Sequence, residues 1–184
     1  ELVIRLYYDK VEYSYSVEYY YDGIKDSSKT ESSEAKYQDV ISTYTDKVIP
    51  GYKLEKTEKL PLTITENANN NVIKIYYVKD NFDYTVEYYY DGVIDSTKTE
   101  EETATFNDVI STYEDKVIPG YKLDKTENLP LTVSEVESNN VIKVYYVKDD
   151  FGYTVEYYYD GIIDSTKTEE ETATFNDVIE TYTD

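Results

Sequence analysis

Reactive chemistry in this chain has to come from carboxylates, lysines, tyrosines, serines and threonines, because the sequence holds no Cys, His, Met or Trp. Disulfide and thiolate sites need Cys, and Ser–His–Asp or Cys–His nucleophile arrangements need His. Zinc sites usually draw on the same two residues. Three groupings remain. The first is tyrosine, present 25 times. Alternation along Tyr84–Tyr90 puts Val86, Tyr88 and Tyr90 on one face and Glu87, Tyr89 and Asp91 on the other. Along Val141–Lys148, Ile142, Val144 and Tyr146 share one face, while Val141, Lys143, Tyr145 and Val147 share the opposite one. The second grouping is acidic: Asp80 and Asp83, and then Asp149-Asp150, are oxygen donors of the kind that suits Ca²⁺. Solvated acidic linkers are the simpler account, since no Asp-x-Asp-x-Asp-Gly loop is present and Gly152 replaces Asp83 in the second linker. The third is the pair of runs Glu100-Glu101-Glu102 and Glu169-Glu170-Glu171. Acid–base work would need a cleft that drives their pKa values apart. A solvated stretch before a helix N-terminus is the simpler account. No catalytic residue, metal site or cofactor is expected.

These side chains recur because the sequence repeats. Tyr15–Gly23 returns at Tyr84–Gly92 and at Tyr153–Gly161, Ile49–Leu54 at Ile118–Leu123, and Asn71–Lys74 at Asn140–Lys143. The offset is 69 residues throughout, and residues 153–184 match residues 84–115 at 29 of 32 positions. Glu1–Lys10 (ELVIRLYYDK) corresponds to Asn70–Lys79 (NNVIKIYYVK). The chain is therefore expected to be an excerpt of a tandem array. Residues 1–14 close one unit, 15–83 and 84–152 are units one and two, and 153–184 is a truncated third. A boundary near Lys47 and Lys116 is the alternative phase. Unit one carries 9 basic and 12 acidic groups and unit two carries 6 and 15, which gives net charges of −3 and −9.

Within one unit, Tyr84–Tyr90 reads as a strand ending at the hairpin signal Asp91-Gly92, with Val93–Glu100 returning. Phe106, Val109, Ile110, Tyr113 and Val117 follow helical spacing, with Thr105 as N-cap and Pro119-Gly120 as terminator. Tyr121–Glu127, Leu131–Ser134 and Val141–Lys148 read as strands. The predicted order is β-β-α-β-β-β, an α+β unit. Leu60-Pro61-Leu62-Thr63 and Leu129-Pro130-Leu131-Thr132 resemble the start of a wall-sorting signal, but Ile64 and Val133 stand where Gly is needed.

The opening Tyr-Thr-Val-Glu-Tyr-Tyr-Tyr-Asp-Gly, the central Ile-Pro-Gly-Tyr-Lys-Leu and the closing Val-Ile-Lys-Val-Tyr-Tyr-Val resemble the MucBP (mucin-binding-protein) repeats of Gram-positive surface proteins. That resemblance implies ubiquitin-like β-grasp units, and because a 69-residue period is long enough for each unit to bury its own core, the units are expected to follow one another in an elongated, monomeric rod. It also implies display outside the cell, with wall attachment through other parts of the parent protein, and adhesion to mucin or service as a stalk. In a β-grasp sheet the first and last strands are neighbours, which would pair Tyr89 with Tyr145 and Tyr20 with Tyr76; Tyr158 is the third-copy equivalent. Such outer-face rings could stack on sugars of a host mucin or glycoprotein, or simply cover a solvent face. A net charge of −21 disfavours nucleic acid and anionic membranes as partners, and no apolar run approaches the roughly 18 residues of a membrane span. Residues 153–184 would present an open sheet edge, to which Glu1–Lys10 of another molecule could pair head to tail.

Overall fold

The computed structural model describes residues 1–181, so the last three residues of the truncated third unit lie outside the described residues. The chain divides into two compact units, Glu1–Asn81 and Phe82–Asp184. In the first, residues 1–11 form no regular element. Strands β1 (Glu12–Tyr21), β2 (Ile24–Lys25), β3 (Glu31–Lys36), β4 (Val40–Ile41), β5 (Tyr52–Glu58), β6 (Leu62–Thr63) and β7 (Val72–Lys79) follow, with a 3₁₀ turn at Ala68–Asn70. The second unit repeats this as β8 (Asn81–Tyr90), β9 (Val93–Ile94), β10 (Glu100–Thr105), β11 (Val109–Ile110), β12 (Tyr121–Glu127), β13 (Leu131–Thr132) and β14 (Val141–Lys148). Its 3₁₀ turn is Glu137–Asn139, and the third copy adds β15 (Asp150–Val155), β16 (Tyr158–Tyr159), β17 (Ile162–Ile163) and β18 (Glu169–Thr174).

The first strand of each full repeat is the hub of its sheet. β1 runs antiparallel to β2 and β3 and parallel to β7, and β5 adds antiparallel to β7. β8, β10, β14 and β12 repeat the order, with β9 also on β8. The two-residue connection at Asp91-Gly92 has φ of 50° and 79°, the left-handed pair that a tight hairpin turn requires. Parallel neighbours cannot be joined by a hairpin, and the crossover from β8 to β14 is made of β9–β13.

Alternation delivers the inner face as expected. Val86, Tyr88, Ile142, Val144 and Tyr146 are buried together with Leu131, and Val17, Tyr19, Ile73, Ile75 and Tyr77 are buried with Leu62 and Ile64. What covers this face is not a helix. Among the described residues every regular element is a strand except the two 3₁₀ turns, so the α+β assignment falls, and with it the β-β-α-β-β-β unit and the rod of ubiquitin-like β-grasp units built from it.

The reason lies in residues 105–119. Asn107 has φ of 66°, which breaks a helix at its second position. Val109 and Ile110 pair with Thr132 and Leu131 instead. The following residues, Ser111-Thr112-Tyr113-Glu114-Asp115-Lys116-Val117-Ile118, are mostly weak helix formers, and Pro119 disfavours helical geometry at Ile118. Tyrosine hydroxyls then hold this non-helical backbone. Tyr88 donates to the Glu114 carbonyl at 2.6 Å and Tyr90 to the Lys116 carbonyl at 2.7 Å. Tyr146 donates to the Asp115 carboxylate and accepts the Lys116 amide at 3.1 Å. In the first repeat Tyr19, Tyr21 and Tyr77 bind Thr45, Lys47 and Asp46 in the same way. Periodicity cannot anticipate these bonds, because they come from strands far away in sequence.

Fully buried Asn140 fastens the opposite end of the sheet. Its carbonyl oxygen accepts the Ser134 amide and hydroxyl, and its side-chain amide donates to the Ser134 and Asp83 carbonyls. Asn71 does the same with Thr65 and Ser14.

Candidate functional site

On the outer face, register builds rows of side chains across three strands. Glu87 stands opposite Lys143, which stands opposite Glu127; Tyr89 stands opposite Tyr145, which stands opposite Lys125. The Tyr89 and Tyr145 rings stack at 4.8 Å with 22° between planes. Parallel neighbours lie about 4.8 Å apart, so rings on directly opposed residues meet face to face. Lys143 Nζ lies 5.9 Å from the Tyr89 centroid and Lys125 Nζ 4.7 Å from that of Tyr145. Tyr89 donates to Glu87 at 2.7 Å, Tyr145 to Glu127 at 3.1 Å, and Lys125 to Glu127 at 2.6 Å.

Repeat one builds the same ladder. Tyr20 and Tyr76 stack at 4.8 Å and 22°, with Lys74 and Lys56 over the rings and Glu18 and Glu58 accepting the hydroxyls. Lys25 adds a bond to Glu18 at 2.5 Å. Tyr158 is placed differently. It lies in β16, is 57% exposed and donates to Glu156 at 2.7 Å. The described part of the third copy supplies no strand of the β14 kind beside it.

Electrostatics follow the bonding. The Glu87 carboxylate beside the Tyr89 phenol pushes it up to about 12, and Glu18 does the same to Tyr20. Burial, then the carboxylate partner, raises Tyr145 and Tyr76. Glu127 is held below the usual carboxylate range by Lys125 and then Tyr145. Every ring therefore has one face on its neighbour, a lysine near it and a hydroxyl already donated. Beside each ladder a groove recurs, lined by Glu87, Asn128, Val141 and Lys143 in repeat two and by Glu18, Lys59, Val72 and Lys74 in repeat one.

Lys125 and Glu127, with their counterparts Lys56 and Glu58, are site residues that the sequence did not single out. Both point outward by alternation, but the register shift between Leu123 and Lys125 that sets their rows is invisible in sequence. Glu100, first of the acidic run, lies in β10 rather than before a helix, accepting the Tyr88 hydroxyl at 2.9 Å and pairing with Lys116 at 2.8 Å. Asp80 pairs with Lys53 and Asp149 with Lys122, while Asp83 accepts the Thr103 hydroxyl. Among the described residues no three acidic side chains converge as metal ligands would, and no helix is long and apolar enough to cross a membrane. The chain matches no protein-family model and no curated protein sequence.

Proposed function

We propose that these repeats are a structural spacer of a bacterial surface protein, carrying a separate binding domain away from the cell wall. One observation carries this reading: in both full repeats each outer-face tyrosine lays one ring face on its neighbour and gives its hydroxyl proton to a carboxylate of its own repeat. A sugar ring recognised by stacking needs an open aromatic face and polar groups free to bond to it. Here Tyr89 and Tyr145 spend one face on each other and their hydroxyls on Glu87 and Glu127. The same closed arrangement in repeat one supports a scaffold that can be copied to change length without rebuilding any site.

The competing reading is an adhesin that takes mucin-type glycans, and the groove recurring beside each ladder favours it. Binding of the whole chain to immobilised mucin at physiological salt separates the two. The spacer predicts no saturable binding at high micromolar concentration. Saturable binding that soluble glycans compete away, and that Tyr89→Ala with Tyr145→Ala weakens, would establish the adhesin instead.

A further inference from the structure

Where repeat two passes into the third copy, a single residue separates β14 from β15. Such a short connection could still act as a swivel, but the contacts around it describe a fitted joint. Gly120 has φ of 85°, and a β-carbon placed on it would lie 2.3 Å from Cδ1 of Phe175. The Phe175 ring thus occupies the space that any other residue at 120 would fill. Its amide donates to the Asp149 carbonyl at 2.8 Å, and the Asp149 amide donates to the Gly120 carbonyl at 2.8 Å. A continuous backbone relay therefore runs from repeat two through the junction to the third copy.

The ring is held on both sides. It meets Tyr121 of repeat two edge-on at 6.3 Å and Phe151 of its own copy at 6.0 Å. Tyr121 leads on to the repeat-two core, edge-on to Tyr90 at 5.4 Å, which stacks on buried Tyr146 at 5.2 Å. Lys122 clamps the connection through Asp149 at 2.9 Å and Asp150 at 3.4 Å, and Thr174 donates to Asp150 at 2.9 Å.

We propose that the Pro119-Gly120-Tyr121 turn is a socket for the aromatic turn of the repeat that follows, here Phe175, so that these two copies are joined by a specific interface. Both halves are intrinsic to the repeat. Unit one builds a socket side of its own, where the Asp80 amide bonds the Gly51 carbonyl, Lys53 pairs with Asp80 and Tyr52 lies edge-on to Tyr21. It also builds a knob side, with Tyr37 edge-on to Tyr13 at 6.2 Å and its amide on the Val11 carbonyl. This inference stands whether or not the repeats carry a ligand.

Hydrogen exchange on the whole chain tests it, read at the amides of β15 and β18, with β1 and β7 as the internal control of folding. Phe175→Ala and Gly120→Ala should each speed exchange in β15 and β18 by about tenfold while β1 and β7 keep their rates. Gly120→Ala also strains a left-handed backbone, so Gly92→Ala serves as the matched control. Gly92 has φ of 79° with nothing within 4 Å of an added β-carbon, and its alanine variant should leave β15 and β18 unchanged. Combining Gly120→Ala with Phe175→Ala should exceed Phe175→Ala by no more than Gly92→Ala does alone, because the clash is then gone. Unchanged exchange in Phe175→Ala, or full additivity in the double variant, would overturn the socket.

Discussion

Tyrosine serves this protein as a hydrogen-bonding residue as much as an apolar one. Tyr19, Tyr77, Tyr88 and Tyr146 are fully buried, and each donates its hydroxyl to a carboxylate or a carbonyl of its own repeat. A donated phenol must stay protonated. Burial first, then the carboxylate partners, pushes these four well above the ordinary phenol range, and Tyr20 and Tyr89 are raised to about 12. A folded-state pKa above the unfolded value near 10 adds stability that is complete below about pH 10 and is lost as pH rises through the folded values. The folded chain at about pH 10.5 should therefore show less phenolate absorbance near 295 nm than the same chain in denaturant. Equal absorbance would mean that the hydroxyls are not engaged. That tyrosine is abundant was plain in the sequence; which hydroxyl meets which carbonyl depends on contacts 26 to 31 residues apart.

At the scale of elements, the informative segment is the one whose spacing suggests a helix. Ile110 and Tyr113 do pack against the core, while Val109 and Val117 are 60% and 52% exposed. Half of the helical pattern was thus a real burial signal, carried by a short strand and a non-helical crossing. Tyr146→Phe removes the hydroxyl that binds Asp115 and Lys116. It should cost unit two about 0.5–1.5 kcal/mol, the net range for a typical hydrogen bond, since Asp115 is exposed and Lys116 half-buried. Urea unfolding followed separately in the two units should show the loss in unit two alone. An unmoved midpoint would show that the crossing is held by its apolar contacts. Strand β14 falls where alternation and β-branched content put it, because it is an unbroken local pattern.

For the whole molecule, charge is the dominant long-range term. The 39 acidic residues outnumber the 18 basic ones, and the ion pairs on these outer faces are solvent-exposed pairs that each contribute little. Self-repulsion of like charge weakens a compact state, and salt screens it over about 10 Å at 0.1 M. Raising the salt concentration should therefore move urea midpoints upward. The gain should be larger for residues 84–152, at −9, than for residues 15–83, at −3. A fall in both midpoints would place net stability in the exposed lysine–carboxylate pairs instead.

The sequence by itself determined the 69-residue repeat, the inward and outward faces of its long strands, the hairpin at Asp91-Gly92 and the lack of thiol and imidazole chemistry. Each is a property of residue type or of short-range period. Tertiary structure alone decided that residues 111–118 cross the sheet without a helix, that Lys125 and Glu127 join the tyrosine ladder, and that Phe175 fills the space over Gly120. Those outcomes depend on register across a bulge and on hydrogen bonds and packing between residues distant in sequence, where local propensity has no information and the geometry of the folded sheet selects the partner.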